Sequence, residues 1–154
     1  MDRTARAGGR TLIQNAAILF GIIFLIVGVA GFIPGITTNY DRLSNFDGEG
    51  ALLLGLFGIN WLESVVHLLY GAAGLALARS VPGARNYFVV GGAIYIVLWL
   101  YGIVIDLDSS LNFIGINTAA NWLHFVLGVA MLGIGLVLGR ETLGAATDGG
   151  SRTL

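Results

Sequence analysis

Gly58-Ile59-Asn60-Trp61-Leu62-Glu63-Ser64-Val65-Val66-His67-Leu68-Leu69-Tyr70-Gly71 has a counterpart 57 positions on: Gly115-Ile116-Asn117-Thr118-Ala119-Ala120-Asn121-Trp122-Leu123-His124-Phe125-Val126-Leu127-Gly128. Both open with Gly-Ile-Asn and both run into apolar sequence. The small and polar residues form one stripe that occurs twice: Asn60, Ser64, His67, Gly71 and Ala78, then Asn117, Asn121, His124, Gly128 and Gly135. Spacings of three, four and seven place each stripe on one face of a helix. A rival offset of 61 aligns Asn60-Trp61-Leu62 with Asn121-Trp122-Leu123, and Arg79 with Arg140. The offset of 57 keeps the whole stripe superposed and is preferred, although a four-residue insertion would make both partly true.

Composition sets the medium. The 154 residues are 56% hydrophobic and 11% charged, with a mean hydropathy of +0.83. Soluble domains carry roughly 25% charged residues, so this chain belongs in a membrane. It has no cysteine, which excludes disulfides, thiolate metal sites and cysteine nucleophiles. The net charge of -1 carries no nucleic-acid signal. All eight basic residues are arginine, a bias of GC-rich bacterial genomes.

Four apolar segments, 12–33, 61–78, 87–105 and 122–139, each approach the ~20 residues that span ~30 Å of hydrocarbon as a helix. Strands of a membrane barrel would alternate over ~10 residues, and these runs are continuous. The first segment follows Arg3, Arg6 and Arg10 as a signal peptide would, but it is too long for an h-region and is read as a retained helix. Arg79 and Arg85 lie between the second and third segments, and Arg140 and Arg152 follow the fourth. Only Arg42 lies on the other side, so the positive-inside rule places both termini in the cytoplasm. Asp41, Asp47, Glu49, Asp106 and Asp108 then face outward, and Tyr40, Trp61, Tyr87, Tyr101 and Trp122 suit interfacial belts.

The expectation is therefore an all-α, four-transmembrane-helix bundle over 10–140. It is a parallel two-plus-two repeat of helix pairs in a bacterial plasma membrane, with disordered tails over 1–9 and 144–154. Residues 51–59 are apolar but too short to span, and are read as an interfacial or re-entrant piece on the outer face. Asn60 is the expected N-cap of helix 2, with Asn60-x-x-Glu63 at capping-box spacing, and the asparagines of the second copy cap helix 4. Gly71, Gly128 and Gly135, with Ser64, form a packing seam that faces into the bundle.

Each histidine lies seven residues past its asparagine cap, Asn60 or Asn117, ~10 Å inside the outer boundary. Glu63 lies four residues before His67 on the same face, and Ala120 holds that place in the second copy. Two imidazoles at equal depth suit axial ligation of one haem b, or a metal or quinone site. The plainer reading makes them polar glue between helices. With only two histidines, a three-histidine metal site is impossible. No phosphate loop, nucleophile elbow or HExxH motif is present.

Leu56-Phe57-Gly58-Ile59-Asn60-Trp61-Leu62, Val66-His67-Leu68-Leu69-Tyr70-Gly71 and Asn121-Trp122-Leu123-His124 resemble a family of small bacterial membrane proteins known as domain of unknown function 4383. The resemblance covers about Leu12 to Gly139. It implies four membrane helices and no established activity; many such proteins have His-Asn where this chain has Glu63-Ser64. The leading expectation is a non-enzymatic accessory or structural membrane subunit, its partners the lipid bilayer and other membrane proteins or its own copies, with no cofactor. The alternative is a redox or small-ligand protein using His67, His124 and Glu63.

Overall fold

The computed structural model describes residues 9–43 and 50–150, with side chains as far as Gly139. Four helices organise the chain: α1 (Leu12–Ala30), α2 (Trp61–Leu77), α3 (Val81–Val104) and α4 (Thr118–Gly150). Between α1 and α2 lie three two-residue strands, β1 (Thr37–Thr38), β2 (Leu52–Leu53) and β3 (Phe57–Gly58), paired antiparallel in the order β1-β2-β3. α1, α3 and α4 through Gly139 are long and apolar enough to cross a membrane. α2 has 17 residues, roughly 25 Å at ~1.5 Å per residue, somewhat under the ~30 Å of hydrocarbon.

Local chemistry sets the helix ends. Gln14 reaches back so that the Thr11 backbone N–H donates to its Oε1 at 3.0 Å, and its Nε2 donates to the Ala78 carbonyl at 2.9 Å. The start of α1 is thereby tied to the end of α2. Ser80 caps α3 by accepting from the Gly83 N–H at 3.1 Å, and Pro82 sits in the first turn, where its missing N–H costs nothing. α3 therefore begins at Val81 rather than Tyr87, and Arg85 lies within it. α1 ends at Ala30, ahead of the expected Ile33, because the buried Thr37 hydroxyl donates to the Ala30 carbonyl at 3.1 Å and turns the chain.

Three further expectations are corrected. The stretch 51–59 forms β2, a turn and β3, which adds a small sheet to a mostly helical chain of four helices: Leu54 and Gly55 both adopt left-handed backbone (φ +54° and +69°), which reverses the chain within three residues. Tyr87 is no belt residue; it is 3% exposed in the core. The tail expected from 144 is helical as far as Gly150. Residues 151–154, and the N-terminal tail over 1–8, lie outside the described residues.

α1 packs along α2 and α3 along α4, and the two pairs meet through α1 with α3, α2 with α3 and α1 with α4. Ile13, Ala17, Phe24, Ala84, Tyr87, Phe88, Tyr95 and Met131 form the core where they meet. The Phe24 and Tyr95 rings stack at 5.8 Å, and Phe20 meets Phe88 edge-on at 5.2 Å. Leu19, Ile26, Val97, Val126 and Val137 point outward and are more than half exposed. So much apolar surface suits lipid, not water. Gly133 is on such a face, with nothing within 4 Å of the Cβ it lacks. Gly133→Ala is thus expected to stabilise the fold by about 0.5–1 kcal/mol, read as a higher unfolding midpoint in detergent.

Candidate functional site

The two Gly-Ile-Asn segments meet each other. Asn60 is the N-cap of α2: its Oδ1 accepts from the Glu63 N–H at 2.8 Å, while its Nδ2 crosses to donate to the Phe113 carbonyl at 2.9 Å. Asn117 precedes α4 and does the reverse. Its Oδ1 accepts from the Ala120 N–H at 2.9 Å, and its Nδ2 donates to the Leu56 carbonyl at 2.9 Å. Gly58 lies so close to Gly115 that a Cβ on it would stand 2.5 Å from the Gly115 oxygen and 2.9 Å from the Asn117 nitrogen.

The same exchange of contacts continues down the helices. Gly31 at the C-terminal end of α1 lies against Ser64 and Ile59, and Gly102 of α3 lies against Asn121 and Ile116. Gly71 packs on Leu25, and Gly128 on Ile96. The Phe24 ring is 5.6 Å from His67, and the Tyr95 ring is 5.2 Å from His124. In each instance the partners on or just before α2 and α4 are 57 positions apart, and those on or just after α1 and on α3 are 71 apart.

Asn121 lies one turn inside α4 rather than at its cap, buried against Gly102 with Oδ1 unpartnered. Ser64 is fully buried, and its hydroxyl donates to the Asn60 carbonyl at 2.9 Å. Gly71, Gly128 and Gly135 are buried at helix contacts; Gly135 lies on Phe88 and Val89 of α3.

The ionisable residues converge at this hairpin end. Glu63 Oε1 is 3.4 Å from His124 Nε2, with side chains 11% and 6% exposed. Glu63 therefore faces the other helix pair instead of closing a capping box on Asn60. His67 Nδ1 is 2.7 Å from the Glu63 carbonyl oxygen. A carbonyl only accepts, so Nδ1 carries a proton, and in the neutral form of the ring the lone pair is then at Nε2. Glu63 Oε2 and His124 Nδ1 are buried without a hydrogen-bond partner.

All three residues line one cavity of about 120 Å³, walled by Val27, Ala120, Leu123 and Leu127 and covered by Leu53, Leu54 and Phe57 of the hairpin. The hairpin is the part of the site without a sequence signal, since two-residue strands carry no period to read. Among the described residues, no three His, Asp or Glu side chains are grouped to hold one metal ion. A larger groove of about 570 Å³ lies at the opposite end, beside the exposed Arg10 and Arg79 and against Gln14.

Fold and site together define a helical membrane protein with a buried glutamate–histidine pair beside a small apolar cavity. Residues 14–137 match the family described as Domain of unknown function (DUF4383), and the chain belongs to that family. No curated protein and no solved structure matches it.

Proposed function

We propose that this chain is a four-span protein of the bacterial plasma membrane, with both termini cytoplasmic, that holds a small ligand in the cavity between α2 and α4 without chemically transforming it. The observation that carries the reading is the convergence of Glu63, His67 and His124 on that cavity. Ionisable groups at membrane depth are costly and mark binding or transport paths. Here two of their polar atoms are left for something else to satisfy.

The bundle is a parallel tandem of two helix pairs, α1–α2 and α3–α4. The reciprocal Asn60 and Asn117 bonds and the paired glycine and ring contacts support this. α2 completes the four spans with its capped Asn60 end near the outer interface, where Trp61 is 46% exposed. The exposed apolar faces leave room for an accessory role beside other membrane proteins or further copies.

A small ligand fits the cavity better than haem. About 120 Å³ is well below the roughly 300–1,000 Å³ of ordinary small-molecule sites.

Two measurements test this. A cysteine at Ser109, in the loop between α3 and α4, should react with an impermeant thiol reagent only from outside the cell; reaction only from the cytoplasm overturns the topology. Native mass spectrometry of protein extracted with its lipids should show a small retained mass that His67→Leu removes. A Soret band abolished by His67→Leu or His124→Leu would overturn the small-ligand reading in favour of haem.

A further inference from the structure

The cavity occupies a place that one helix pair fills and the other leaves empty. In the tandem arrangement proposed above, on which this inference rests, Glu63 of α2 corresponds to Ala120 of α4, and His124 corresponds to His67. Glu63 crosses to His124, its Oε1 3.4 Å from Nε2. The corresponding crossing would take a carboxylate at position 120 to His67. Position 120 is alanine, and Ala120 and His67 both line the cavity. The structure gives His67 Nε2 no protein partner among the described residues, while Nδ1 is fixed on the Glu63 carbonyl at 2.7 Å.

A second asymmetry keeps the space open. Tyr70 corresponds to Leu127. The Tyr70 ring extends to Gly91, whose missing Cβ would collide with its hydroxyl, and that hydroxyl donates to the Tyr87 carbonyl at 3.1 Å. Leu127 is shorter and walls the cavity instead.

We infer that the ligand is a small aliphatic carboxylic acid whose carboxyl group takes, at His67, the place that the Glu63 carboxyl takes at His124. The protonated acid supplies the O–H donor that the Nε2 lone pair of a neutral His67 lacks. The acid donates to Nε2, and transfer of that proton gives an imidazolium–carboxylate pair with no net change of charge. The alkyl part lies against Val27, Phe57, Leu123 and Leu127. The cavity of about 120 Å³ holds roughly four water-sized groups, so a carboxyl group and a few methylenes fill it. Leu54, which lines it, is 70% exposed, so a longer chain would leave past Leu54.

The test uses the full chain in lipid nanodiscs with ¹⁵N-labelled histidine, which gives only two ring systems, assigned by His67→Leu and His124→Leu. Sodium butyrate, and separately oleic acid in the bilayer, are titrated. The expected result is a saturable shift of the His67 ring nitrogens. A response to butyrate alone identifies a free short acid, and a response to oleate identifies a lipid-derived one.

Ala120→Glu should move the His67 signals in the same direction without ligand and abolish the response to added acid. Ala120→Leu fills the space without a carboxyl group. It should leave His67 unshifted and weaken acid binding by roughly tenfold or more, and it serves where the glutamate variant fails to fold. If Ala120→Glu shifts His67 but neither acid does, the acid ligand is overturned and the paired architecture survives. If a folded Ala120→Glu leaves His67 unmoved, the correspondence itself fails. A folded Ala120→Leu that binds acid as the parent does overturns the location.

Discussion

Asn60→Ala is expected to destabilise the protein by roughly 2–3 kcal/mol, and Asn117→Ala by about 1 kcal/mol, although the two side chains make the same pair of hydrogen bonds. Each caps a helix with its oxygen and ties the opposite Gly-Ile-Asn segment with its nitrogen. The difference is burial. Asn60 is fully buried, so truncation removes the Oδ1 that accepts from the Glu63 N–H and strands that donor away from water, while the Ser64 bond to the Asn60 backbone oxygen survives. Asn117 is partly exposed, and its bond to Leu56 lies at the surface, where water replaces it. The common part is the lost cap, typically ~1 kcal/mol; the excess at Asn60 is the cost of a buried, unpaired group, ~1–3 kcal/mol. Reversible unfolding in mixed micelles, by circular dichroism at fixed lipid-to-detergent ratio, measures both. Equal losses would show that the two asparagines see the same solvent.

How far the sequence reaches is clear from particular residues. The stripe from Asn60 to Ala78 is legible because helical spacing and a constant offset of 57 survive in α2 and α4. The partnership of α1 with α3 is not legible at that offset. Gly31 and Gly102, Leu25 and Ile96, and Phe24 and Tyr95 correspond at 71. The difference of 14 positions falls in the connection from α1 to α2, the one that holds the small sheet.

The hairpin over Leu52–Gly58 is hidden for another reason. Its strands are too short to alternate, and Leu54 is a residue type that rarely takes φ near +54°. The Glu63–His124 pair is hidden because a helix face shows which residues point inward, not which neighbour they meet. Glu63 lies four residues before His67, and yet its carboxylate goes to a histidine on another helix. Helix starts shift for local reasons that single residues carry: Ser80 and Pro82 draw α3 back to Val81, and Asn117 draws α4 back to Thr118.

Gly58→Ala is expected to cost about 3 kcal/mol or to prevent folding, because the added methyl group meets backbone on both sides. Its Cβ would lie 2.5 Å from the Gly115 oxygen and 2.9 Å from the Asn117 nitrogen. Neither atom can move without dragging the first turn of α4, so the strain passes into the crossing bonds of Asn60 and Asn117 at once. Gly31→Ala presents an even shorter distance, 2.2 Å, but to the Ser64 hydroxyl, the end of a small side chain. That collision can be removed by a second substitution. Ser64→Ala should therefore recover much of the loss from Gly31→Ala, a coupling within the 0.5–3 kcal/mol range of residues in contact. No single side-chain truncation should rescue Gly58→Ala. The double-mutant cycle distinguishes the two outcomes. Rescue of Gly58→Ala by Asn117→Ala would mean that the close approach is set by side chains, and that the two Gly-Ile-Asn backbones are not themselves in contact. Persistence of the full loss in that double variant is what a backbone-on-backbone seam requires.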